Sequence, residues 1–195
     1  MLTLLLIIVF LLCVGLVWME GLWSASILLL HTIFAGLIAT SYFAPLAKIM
    51  STQLPKYDHC VDFLSFWLLF AMVCSVLRLA TEKLSSHRVW FIMPVEMAGR
   101  SILALLVGWL MVCLTCFSLH LAPLSEKPFS GGFQETAMSK DFLGMAPDQQ
   151  WMSLVQGCSR GSLSTLTGLE FKNSSKFTSD DFIRNYRVRR QNIAP

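Results

Sequence analysis

Long apolar stretches alternate with short polar connections over the first 122 residues of the chain, and then the pattern stops. The apolar runs are Met1–Met19, Leu22–Phe43, Val61–Ala80 and Ser101–Ala122. Each is about 19–22 residues long, and at about 1.5 Å per helical residue that matches a hydrocarbon core of roughly 30 Å. In lipid a helix satisfies its own backbone donors and acceptors, so four such runs predict four spanning helices. The fold class is therefore all-α: a four-helix transmembrane module over 1–122, followed by a polar C-terminal tail over 123–195. One short helix is predicted in the tail near 147–156. Pro147 and Asp148 open it, Trp151, Leu154 and Val155 recur at helical spacing, and Gly157 closes it. Trp151 is expected on an exposed face, as a contact for a partner or the membrane. Ser130-Gly131-Gly132 reads as a linker, and from about Asn173 onward the tail is expected to be disordered in isolation.

The connections sharpen the picture. Only Glu20-Gly21 separates the first two runs, which predicts a tight hairpin flanked by Trp18 and Trp23 at headgroup depth. Helix two carries small residues at Ala35, Gly36, Ala39, Thr40 and Ser41, and helix four carries Gly108; both invite close helix approach. Pro45 is expected to end helix two, leaving 44–60 as a polar loop. Within it Leu46, Ile49, Met50 and Leu54 suit a short surface helix that Pro55 stops. Asp58 and Asp62 precede or begin helix three, and Arg78 and Lys83 close it, at the ends that favour their charges. The connection from Thr81 to Arg100 contains Val89–Met93, too short to span and expected at the interface.

Composition agrees with this division. The chain is 55% hydrophobic, yet the tail carries 9 of its 15 Lys and Arg residues. A net charge of +3, with its basic residues dispersed, excludes a nucleic-acid surface. Arg78, Lys83, Arg88 and Arg100 lie near the three–four connection, against Lys48 and Lys56 at the other end. The positive-inside rule then places that connection in the cytoplasm and both termini outside. No Lys or Arg precedes Lys48 and no small-residue cleavage site follows the first run, so that helix is expected to stay uncleaved. Cys13, Cys74, Cys113 and Cys116 lie within apolar runs and read as packed thiols; the Cys113-Leu-Thr-Cys116 spacing lacks the setting of a redox motif.

No motif for a catalytic, metal or cofactor site stands out, so the expectation is a protein that is not an enzyme and uses no cofactor. Ionisable groups at depth carry more information, since each costs about 2.5–3.5 kcal/mol or more at a helix centre. His31 is the one near the middle of a span. It is either a proton- or substrate-contacting group or an imidazole hydrogen-bonded between helices. Glu20, Asp62, Arg78 and Arg100 sit near helix ends, where they can reach water and serve as anchors and caps.

The residues also carry a family resemblance. The four short-looped spans, the first-turn glycine, Tyr57-Asp58 leading into Asp62-Phe63-Leu64, and Leu77-Arg78-Leu79-Ala80-Thr81 resemble the colicin V production (CvpA) family. The third-helix match is closest in pattern to planctomycete members. Gly108-Trp109, His120-Leu-Ala-Pro123, Gly131-Gly132-Phe133 and Ala146-Pro147-Asp148 extend the resemblance over about 155 residues. It implies a multi-pass inner-membrane protein tied to toxin production or export and to envelope integrity. Some actinobacterial serine proteases carry a similar module with the following domain outside the cell. The chain departs from the pattern at Glu20-Gly21-Leu22-Trp23, where the family often has arginines beside the glycine, so no role resting on those arginines transfers. The expected partners are the lipid bilayer, a membrane or envelope protein, and a second copy of the chain. A rival reading is a small oligomeric transporter or channel with His31 on the path.

Overall fold

The computed structural model describes residues 2–53, 58–84, 93–122 and 145–160. Five helices make up the order α1 (Leu2–Met19), α2 (Leu22–Gln53), α3 (Asp58–Leu84), α4 (Met93–Leu121) and α5 (Pro147–Arg160). The first four are each long and apolar enough to cross a membrane. Their outward side chains are apolar: Leu4, Ile8, Leu11 and Leu16 on α1, Leu30 and Phe34 on α2, and Leu68, Val76 and Leu79 on α3 are all exposed. An apolar girdle of this kind is stable only against lipid. The chain is a multi-pass, all-α membrane protein.

One proline was expected to mark a helix limit and does not. Pro45 lies inside α2, which continues to Gln53, so residues 44–53 of the expected polar loop are helix. Proline there removes one donor, but spanning helices tolerate the loss where neighbouring groups satisfy the freed carbonyl. Pro94 falls in the first turn of α4, where its fixed φ suits helix initiation, and Glu96 follows it at the positive end of the helix dipole. α4 therefore begins eight positions before Ser101. Pro55, the Val89–Ile92 stretch, the 130–132 linker and the chain beyond Arg160 lie outside the described residues.

The helices pack as a row, α1 on α4, α4 on α2 and α2 on α3. The turn at Glu20-Gly21 is tight as expected, but α1 packs chiefly on α4 and not on its hairpin neighbour. Gly108 explains this seam: a Cβ there would come within 2.7 Å of Val14 and 3.1 Å of Phe10. The main core joins Phe43 of α2, Phe66 and Phe70 of α3 and Phe117 of α4, with edge and tilted ring contacts among them. Cys113 faces this core while Cys116 faces the α1 side, so the two thiols serve different packing layers.

The fifth helix was expected in the tail, but its place in the core was not. α5 packs on α4 and completes the main core with Trp151, Met152 and Val155. It also runs through Gly157, which was expected to end it.

Candidate functional site: two polar clusters within the bundle

Two polar clusters stand out among the described residues, one around α5 and one around the α1–α2 turn. The first is the seat of α5. Gln149, Gln150 and Ser153 fall on one side of this helix, and Asp148, Trp151, Met152 and Val155 on the other, so it turns one face inward. Trp151 is 1% exposed, which corrects the expectation of an exposed indole. Its ring lies over Gly36 of α2, where a Cβ would come within 2.7 Å of the indole, and Leu114 of α4 borders the same space. Its Nε1–H donates to Thr40 Oγ1 at 3.1 Å, and the Thr40 hydroxyl in turn donates to the Gly36 carbonyl at 2.7 Å. One helix turn of α2 thus supplies both the space for the ring and the acceptor for its N–H.

Two further contacts fix the register of α5. Trp109 Nε1 donates to Gln150 Oε1 at 2.9 Å. His120 Nε2 lies 3.1 Å from Asp148 Oδ2, with the two side chains 2% and 1% exposed. The other Asp148 oxygen accepts from the Gln149 backbone N–H at 2.8 Å, as suits an acid in the first turn of a helix. Trp151 meets Gly36 and Thr40 of α2, and Gln150 meets Trp109 of α4, so α5 lies against both of these helices. Sequence reasoning missed the roles of His120, Asp148 and Gln150, and read Thr40 as a small residue for close helix approach. The available signal was an imidazole at the end of one apolar helix and a carboxylate at the start of an amphipathic one, each needing a partner if buried.

The second cluster lies around the α1–α2 turn. Glu20, His31 and Arg78, three of the residues singled out in sequence, come together here. They line a cavity of about 520 Å³ with Trp23, Ser24, Thr81, Glu82 and Glu96 among its walls. Arg78 pairs with Glu82 at 3.0 Å and lies 3.9 Å from Glu20, whose carboxylate accepts from the Ser24 hydroxyl. His31 is buried against α3, with Nε2 3.4 Å from Thr81 Oγ1. A transport path past His31 would need further polar neighbours such as Thr32, Thr40 or Ser65, yet the Thr32 and Thr40 hydroxyls donate to the Leu28 and Gly36 carbonyls of their own helix. Ser65, the third such neighbour, meets Met50 Sδ at 3.3 Å.

Asp62 does not join this group. It sits near the start of α3, sixteen positions or about 24 Å of helix from Arg78. It was expected to reach water and is 8% exposed. Arg100 of α4 lies 4.9 Å over the Trp18 ring, so the interfacial tryptophan of α1 holds a cation of α4.

Comparison with curated proteins and with solved structures finds no match. A family model described as colicin V production protein matches residues 2–146, which takes in all four spanning helices and stops at the residue before α5. The chain belongs to the colicin V production protein family.

Proposed function

We propose that this protein is a non-catalytic, multi-pass component of the inner membrane that supports toxin production or export, or maintenance of the envelope, through protein contacts. The observation that supports this reading most directly is the seat of α5. Polar groups of that region are spent on holding one helix to the bundle, through the buried pairs His120–Asp148 and Trp151–Thr40 and the exposed pair Trp109–Gln150. Such a network fixes a rigid surface at the tail end, and rigid, shaped surfaces suit recognition. A partner at this end meets a surface built from both the module and its tail. The test is complementation in cells lacking the protein, with a full-length Asp148→Leu, Trp151→Ala variant that still inserts. Toxin export and the envelope barrier are expected to fail together with in-cell cross-linking to neighbours. Full complementation by a membrane-inserted variant would sink this reading.

The orientation belongs to the same proposal: the α1–α2 turn faces the cytoplasm and the tail end lies outside. Cys60 is exposed near the start of α3, at the tail end of the bundle, and gives the probe. A membrane-impermeant thiol reagent should label it in intact cells; labelling only after lysis reverses the orientation.

One observation favours transport as a second reading, namely that His31 borders a cavity shared with Glu20 and Arg78. His31→Leu separates the two. Unchanged flux and unchanged cell phenotype remove transport; lost flux with an intact envelope supports it.

A further inference from the structure

The cavity at the α1–α2 turn has a composition that selects for a ligand. Among the described residues its charged wall is three carboxylates, Glu20, Glu82 and Glu96, against one guanidinium, Arg78, with the His31 imidazole beside them. Arg78 is already held by Glu82 at 3.0 Å and approached by Glu20 at 3.9 Å. Glu96 makes no ion pair among the described residues, and its Oε1 lies 3.6 Å from where a Gly21 Cβ would be, at the lip of the turn. The rest of the described wall mixes the polar Ser24, His31 and Thr81 with an apolar and aromatic side formed by Leu22, Trp23, Ile27 and Leu28. A volume of about 520 Å³ falls in the range that encloses most of a small organic molecule.

A second observation comes from the inner wall. His31 is 6% exposed, and its one contact among the described residues is the 3.4 Å approach of Nε2 to Thr81 Oγ1. The Thr81 hydroxyl proton is committed to the Leu77 and Arg78 carbonyls at 3.0 and 2.9 Å, so that oxygen is left to accept from Nε2–H. Nδ1 is then an acceptor on a ring that borders the cavity, with no donor to it among the described residues.

We infer that this cavity binds a monovalent organic cation with an apolar body, its charge among Glu20, Glu82 and Glu96, its apolar part on Trp23, Ile27 and Leu28, and any N–H it carries directed to His31 Nδ1. Aromatic faces beside carboxylates attract such cations by two independent terms, ring quadrupole and charge, and a dry apolar wall strengthens both. The chemistry is shared by two sources, a free amphipathic cation and the ammonium headgroup of an ethanolamine phospholipid in the same leaflet. The site does not depend on transport: saturable binding without flux removes the second reading above and leaves the site standing.

The experiment titrates the purified full chain in dodecylmaltoside, an uncharged detergent without ammonium, with two probes: tetraphenylphosphonium and 2-phenylethylammonium. Both should bind saturably. Glu20→Gln with Glu96→Gln should weaken both by roughly tenfold, about a fivefold-or-smaller loss for each partly exposed carboxylate. Asp62→Asn removes a charge at the other end of α3 and should leave both unchanged. His31→Leu should weaken phenylethylammonium and spare the phosphonium, which has no N–H. Added phosphatidylethanolamine that competes for the site identifies the lipid as the source, and lack of competition identifies the free cation. Absence of saturable binding by well-folded protein overturns the proposal. So does binding indifferent to the Glu20/Glu96 change, an equal loss on Asp62→Asn, or equal effects of His31→Leu on the two probes.

Discussion

Replacing Gly36 by alanine tests whether α5 is held where the bundle places it. The added Cβ would lie 2.7 Å from Trp151 Cη2, 2.9 Å from Cζ2 and 3.1 Å from Leu114 Cδ2. Ordinary contact begins near 3.4 Å, so the indole must retreat by about 0.7 Å. It has little room to do so. The ring is 1% exposed, and its Nε1 is tied to Thr40 at 3.1 Å. Overpacking of this kind costs about 1–3 kcal/mol, which lowers the ratio of docked to undocked α5 by roughly five- to 150-fold. Cys158 provides the readout, because it lies on α5 and packs partly against the same core. In a Cys60→Ser background its alkylation in detergent should accelerate by that factor where opening limits the reaction. Gly108→Ala is the comparison: it crowds Val14 and Phe10 by a similar amount but on the α1 side, and should leave Cys158 protected. Pairing Gly36→Ala with Trp151→Phe removes the ring atoms that clash, so the double variant should be little worse than Trp151→Phe alone. Additive costs, or an unchanged Cys158 rate in Gly36→Ala, would refute the reasoning.

Three other substitutions rank the polar contacts. His120→Ala removes the imidazole beside a carboxylate that is 1% exposed and should cost about 3–5 kcal/mol in detergent unfolding; a loss below about 1 kcal/mol would mean the pair does not hold α5. Thr40→Val keeps the shape but strips the acceptor from a buried indole N–H, for about 1–3 kcal/mol by the same assay, with the loss absent in a Trp151→Phe background. Arg78→Gln breaks ion pairs whose side chains are 33–62% exposed, and its effect on stability should stay under about 1 kcal/mol despite their number.

How much of this was legible in the sequence follows from which signals are local. The four spans were legible because a spanning helix declares itself by length and hydropathy alone. Their limits were not: proline stops a helix in water but is tolerated inside a spanning helix, as Pro45 is, and α4 begins at Met93, ahead of the apolar run that declares it. Glu20, His31 and Arg78 were each visible as charges or polar groups near apolar runs, but their meeting depends on how α2 and α3 pack. The seat of α5 was hidden for the same reason: Gly36 and Trp151 are 115 positions apart, and the small-residue stripe around Gly36 read as a site for another spanning helix.

That relocation changes what a partner at the tail end can touch. An amphipathic helix in isolation exposes one face to solvent and offers the other for binding, which is why Trp151 looked like a recognition residue. In the structure the apolar face is consumed within the chain, by Gly36, Thr40 and Leu114. The face left outward carries Gln149, Ser153, Leu154 and Gly157, all exposed. A partner that recognises the docked helix therefore meets amides, a hydroxyl and one leucine, and is read by hydrogen bonds more than by apolar burial. Ser153→Trp tests this, since a bulky ring on the outer face blocks such a partner and leaves the seat of Trp151 intact. In-cell cross-linking at the tail end should drop while Cys158 keeps its unaltered alkylation rate. A drop that comes only with a faster Cys158 would show that the partner binds α5 after it has left the bundle, through Trp151 and the face now buried.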